Sequence, residues 1–175
     1  MTEPYIWTDL GVTFGDAILC SIKDAIALND LPMPQQVYQL PGAQIPADDA
    51  CDGLLWVRLA TQFATDGSGQ PFAMARAAMG AIPAWLYRFE VGYGNCVQVI
   101  EENGEAPEPA YWTEMAGRDG QLRMSVLRGL TQLLPPRIQN CADALIINQF
   151  TPYGPDGMWV GGTFMVDLIS MSLAN

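Results

Sequence analysis

The sequence contains no histidine, a single lysine (Lys23) and only 15% charged residues. Without histidine, Ser-His-Asp and Cys-His catalysis and every His-ligated metal site are excluded. No CxxC pair occurs either. Cys20, Cys51, Cys96 and Cys141 lie 31, 45 and 45 positions apart, which is not the paired spacing of structural zinc sites. Neither GxGxxG nor GxxxxGK[ST] is present, so a phosphate-cradling loop has no support. No run reaches the roughly 20 apolar residues of a spanning helix; the richest window, Phe72 to Tyr87, is broken by Arg76 and Pro83. The opening Met1-Thr2-Glu3-Pro4 shows no basic n-region and no apolar h-region of a signal peptide. The expectation is therefore four reduced, mostly buried thiols.

Positive charge is also scarce. Eight Lys and Arg face 19 Asp and Glu, for a formal charge of −11. That balance disfavours nucleic-acid binding through phosphate neutralisation. Residues 1–75 carry nine acids and two bases, 76–140 seven and six, and 141–175 three and none, so no segment is basic. Asp48, Asp49 and Asp52 lack a Gly-centred calcium loop and, like the run Glu101, Glu102, Glu105 and Glu108, read as solvated charge. Nothing singles out a carboxylate pair for glycoside hydrolysis. The sequence implies no metal, no cofactor and no catalytic residue.

What is present is apolar. Hydrophobic residues make up 50% of the chain; with glycine the share is roughly 60%, above the usual 45–50% on that count. In a chain with so little charge, this points to surface buried in an assembly. At 175 residues the chain is one domain, 1–175.

Phe14, Ala17, Ile18, Ile22, Ala25 and Ile26 recur at helical spacing and predict an amphipathic helix over Phe14 to Leu28, ended by Asn29, Asp30 and Pro32. Gln36 to Leu40 is a short strand candidate. Leu54 to Phe63 reads as a strand with Leu55, Val57, Leu59, Thr61 and Phe63 on one face and Arg58 and Gln62 on the other. Pro71 to Ile82 is a short helix candidate. In Trp85 to Ile100, Trp85, Tyr87, Phe89, Val91 and Tyr93 alternate with Leu86, Arg88, Glu90 and Gly92, with a bulge or bend predicted at Gly92, Gly94 and Asn95. A long helix follows, with Met115, Leu122, Val126, Leu130 and Leu133 as its buried stripe and Pro135-Pro136 as its stop. Gly117, Gly120 and Gly129 weaken it by up to ~1 kcal/mol each. Strands Ala144 to Phe150 and Trp159 to Met171 close the chain, joined by a loop over 151–157. The order α-β-β-β-α-β-β describes an α+β domain with two main helices packed on one antiparallel sheet. Trp56, Trp85, Trp112 and Trp159 read as core or interface.

Three stretches carry a resemblance: Cys51-Asp-Gly-Leu-Leu-Trp-Val-Arg-Leu59, Trp85-Leu-Tyr-Arg-Phe-Glu-Val-Gly-Tyr93, and Gln149-Phe-Thr-Pro-Tyr-Gly-Pro-Asp-Gly-Met-Trp-Val-Gly-Gly-Thr-Phe164. They resemble the neck and tail-connector proteins of long-tailed phages of actinobacteria, most of all the tail terminator. Together they cover about a fifth of the chain, and their order and spacing extend the match from Cys51 to the C-terminus. The sequence departs from the family at Met158-Trp159, where a second small residue is expected before Val160-Gly-Gly.

The resemblance implies a tail-terminator-like fold and a structural virion protein rather than an enzyme. Six subunits would form a ring that caps the tail tube, halts its polymerisation and joins it to the head connector. The implied partners are further copies of the chain, the major tail-tube protein and the head-side stopper or connector. DNA would only pass through, and no membrane is involved. A head-completion or stopper protein of the same neck is the alternative. The implied location is the virion neck, with assembly in the host cytoplasm. Tyr153, Met158 and Trp159, on the predicted hairpin loop, are the expected contacts to the ring or tube. Asp48, Asp49, Glu101, Glu102, Glu105 and Glu108 are the expected bore-lining acids, repelling phosphate within a Debye length of about 8–10 Å.

Overall fold

The structure is a computed structural model. It describes residues 10–40, 53–65, 84–97, 106–156 and 159–171. The first helix, α1 (Leu10–Leu28), buries Phe14, Ile18, Ile22, Ala25 and Ile26, five of the six positions the helical period selects; the sixth, Ala17, is half-buried against the same core. It starts four residues earlier than the apolar pattern. Its end is a Schellman motif: the Leu31 N–H donates to Ile26 O (3.2 Å) and the Asp30 N–H to Ala27 O (3.1 Å), with Asp30 left-handed at φ 52°. Leu31 then folds onto the core cluster that contains Ile26.

The five strands are β1 (Gln36–Leu40), β2 (Leu54–Thr65), β3 (Ala84–Cys96), β4 (Ala144–Asp156) and β5 (Trp159–Ser170), in the spatial order β1-β2-β3-β5-β4. Three of the four pairings are antiparallel, but β1 runs parallel to β2, so the sheet is mixed and the expectation of an all-antiparallel sheet is corrected. A parallel pair needs a crossover of about a dozen residues, and residues 41–53 lie between these two strands. Strand direction leaves no mark on the apolar pattern.

In β2 the register slips between Leu59 and Thr61. Leu55, Val57 and Leu59 belong to the cluster under the helices, whereas Phe63 packs with Leu86 and Ile169 on the opposite face. One extra residue at a bulge inverts every later side chain, which is why the predicted single face from Leu55 to Phe63 divides. β3 keeps its predicted alternation. Its pairing shows no register shift with β2 through Gly92 and Gly94 or with β5 through Asn95, so no bulge interrupts it there. The strand β4 runs to Asp156, so Thr151 to Asp156 are strand rather than loop. The predicted helix from Pro71 to Ile82 lies outside the described residues.

The second helix, α2 (Pro109–Arg128), passes into a π turn (Gly129–Leu133) and a third, short helix, α3 (Pro135–Ile138). Among the described residues, a π turn and a short helix are thus added to the two main helices expected. The π turn is closed by the Leu134 N–H donating to Gly129 O at 2.8 Å. It inserts one residue, and the buried stripe becomes Leu122, Val126, Leu130, Leu134 and Ile138 instead of continuing to Leu133; Met115, expected at its start, is half-buried. A Cβ on Gly129 would sit 2.8 Å from Ile22 Cα, so glycine is what lets α1 and the π turn touch. Pro135, at the first turn of α3, lacks only an N–H that has no helical partner there, so it starts a helix as well as ending one.

The stripes of α1 and α2 pack on Leu55, Val57, Tyr87, Phe89, Val91, Tyr93, Phe164, Val166 and Leu168. Asn29 Nδ2 donates to Ser125 Oγ (2.6 Å) and Arg128 to Asn29 Oδ1 (2.9 Å), which fixes the end of α1 to α2. Among the described residues no helix is long and apolar enough to cross a membrane.

Candidate functional site

The sheet face away from the helices carries the chemistry of the described residues. It reads as three bands. At one end Leu54 and Trp56 are buried, with Tyr38, Leu40, Tyr153 and Trp159 packed against them. The position of Trp56 follows from the strand alternation ahead of the bulge: Leu55 and Val57 face the helices, so Trp56 must face away. Across the ladder it meets Gly92, and the missing side chain leaves room for the indole to lie on the backbone. Trp56 Nε1 donates to Glu90 Oε1 (3.2 Å), and Arg58 Nη2 donates to Glu90 Oε2 (2.6 Å). The Trp56 and Tyr153 rings stack at 6.3 Å and 28°.

The second band is the pair Arg88–Asp167. Two parallel hydrogen bonds of 2.7 Å join guanidinium and carboxylate, with the Asp167 side chain 6% exposed and Arg88 37%. The third is apolar, with Ala84, Leu86 and Ile169 buried against Phe63 and Ala144. At the Trp56 end of the sheet two phenols, Tyr93 on the helix side and Tyr153 on the opposite face, are held neutral. The Tyr93 hydroxyl is pushed far above its ordinary pKa by burial first and the Asp119 carboxylate second. Tyr153 is raised by burial, then by Asp119 and Glu90, and its hydroxyl donates to Tyr93 O at 2.5 Å.

Tyr153 and Trp159 are thus brought together, as half-buried strand residues resting on Trp56 rather than on a loop tip. Trp159 pairs across the ladder with Cys96. Met158, Asp48, Asp49, Glu101, Glu102 and Glu105 lie outside the described residues. Glu108 is exposed just ahead of α2, and its carbonyl accepts the Tyr111 N–H at 3.0 Å. Sequence reasoning did not pair Glu90 with Trp56 and Arg58, or Arg88 with Asp167. The only hint was charge at alternating positions in otherwise apolar strands, and the partners depend on register.

The cysteine expectation is corrected. Cys96 is disulfide-bonded, Cys20 is exposed on α1 and Cys141 is half-buried; Cys51 lies outside the described residues. Among the described residues no three His, Cys, Asp or Glu side chains are grouped to hold a metal ion. What the face offers is stacked aromatics and self-paired charges, a chemistry of packing and recognition. No family model matches this chain, and no curated protein matches it.

Proposed function

We propose that this chain is a neck protein of a long-tailed phage, acting as the tail terminator: a ring of six copies that caps the tail tube, stops its growth and joins it to the head connector. The observation that carries the reading is the sequence of Cys51 to Leu59, Trp85 to Tyr93 and Gln149 to Phe164, the three stretches that resemble that family. Support also comes from the order of the described elements, α-β-β-β-α-β-β with a π turn and short helix added after the second long helix. The low charge content and apolar excess suit a subunit covered on both sides by neighbours.

In this reading Tyr153, Met158 and Trp159 contact the ring or tube, and the acids at Asp48, Asp49, Glu101, Glu102, Glu105 and Glu108 line the bore, where phosphate is repelled rather than bound. The test is assembly of the encoding phage without this chain. Filled heads lacking tails, beside tubes of uncontrolled length, are the expected products. Tails of normal length joined to heads would overturn the proposal.

A further inference from the structure

We propose that the groove between the α1–β1 connector and the outer side of α2 receives residues 3–9 of a second copy of the chain, so that copies join head to tail. The inference does not rest on the phage reading, because it concerns only how one copy meets the next. The groove is made of two cavities, of about 390 and 530 Å³, that share Leu31 and Gln121; such volumes take in a few large side chains. Its walls include Met33 and Met124, which are 38% and 57% exposed, and methionine adapts its shape to what it meets. Gly117 and Gly120 line the same groove. A Cβ at either would touch nothing, so packing within the chain does not call for glycine there, although glycine weakens a helix. A second chain laid close to the helix backbone does call for it.

Charge and reach select the occupant. In a chain of 19 acids and eight bases, Arg118 and Arg123 line the groove and, among the described residues, no Asp or Glu does. Arg118 also engages Glu114 at 2.5 Å, a surface pair worth little, and Arg123 sits over the Phe150 ring. The matching ligand is apolar and acidic. Residues 1–9, ahead of the described helix, hold Tyr5-Ile6-Trp7 between Glu3 and Asp9 and contain no Lys or Arg. Those aromatics cannot reach the groove of their own copy. It begins at Asn29, one helix length, about 28 Å, from Leu10. Trp7 and Tyr5 stand three and five residues before Leu10, a backbone reach of at most about 10 and 18 Å. The groove of a neighbouring copy carries no such limit. Because segment and groove lie at opposite ends of α1, each copy gives its segment to one neighbour and takes that of another, a heterologous contact.

The experiment is sedimentation velocity of the full chain over a wide range of concentrations, at low and at high salt. The wild-type chain is expected to associate as its concentration rises, and less so at high salt. Trp7→Ala removes an anchor of the segment, and Met124→Glu puts an acid at an exposed position of the groove. Each should weaken association at least about tenfold, the scale of a lost aromatic anchor, with the melting temperature unchanged. Mixed in equal amounts, the two variants should form a dimer and nothing larger, because the intact segment of the Met124→Glu copy enters the intact groove of the Trp7→Ala copy. Gly117→Ala with Gly120→Ala should raise the melting temperature and still weaken association. A wild-type chain that stays monomeric throughout, single variants that associate like the wild type, or a mixture that stays monomeric would each overturn the proposal.

Discussion

Trp56 lies across Gly92, and a methyl group at that glycine would overlap the indole ring. The ring cannot easily give way: it is 2% exposed and its Nε1 is held by Glu90. Gly92→Ala should therefore destabilise the fold by about 1–3 kcal/mol, the usual cost of overpacking. The check is a lowered urea midpoint with an unchanged m-value. Adding Trp56→Leu should recover part of the loss, because the two residues share one space. Simple additivity of the two effects would mean that the overlap is not the cause.

The Arg88–Asp167 pair gives a second expectation. Removing the guanidinium as Arg88→Met strands a carboxylate that is 6% exposed. Breaking a fully buried pair costs 3–5 kcal/mol. Arg88 is a third exposed, so water screens part of the interaction and about 2 kcal/mol is expected. Replacing both partners, Arg88→Met with Asp167→Leu, should restore most of the stability, since an apolar pair leaves no buried charge. A double variant as weak as the single one would contradict this account.

The two raised phenols predict an alkaline limit. Both Tyr93 and Tyr153 have folded-state pKa values above the unfolded value near 10. The stability linked to them is fully present below pH 10 and falls as the pH climbs above it, because only the unfolded chain then loses these protons. In a spectrophotometric titration these two of the chain's six tyrosines should ionise only with unfolding. Reversible ionisation of all six near pH 10, with the fold intact, would contradict it.

The readable part of the fold was the part fixed by local period. Helical spacing gave the buried residues of α1, period two gave the faces of β3, and β1 matched from Gln36 to Leu40. The misreadings share a cause: one inserted residue or one long-range partner that no local period encodes. A single residue at the β2 bulge sends Phe63 to the other face, and one at the π turn replaces Leu133 by Leu134. The strand glycines Gly92 and Gly94 looked like a bend when read alone; in the sheet they are the floor under Trp56, Tyr153 and Trp159. The Cys96 disulfide carries no local signature, since neither a CxxC pair nor a visible signal peptide marks it. Of the candidate site, the sequence supplied the aromatics Tyr153 and Trp159 but not Trp56 and Glu90 beside them, since their meeting depends on strand order.

The most direct test of the central claim is high-resolution imaging of the neck of the phage that encodes this chain. The account predicts six copies in one closed ring at the junction of tube and connector, related by head-to-tail contacts. Twelve copies at that junction, or none, would contradict it.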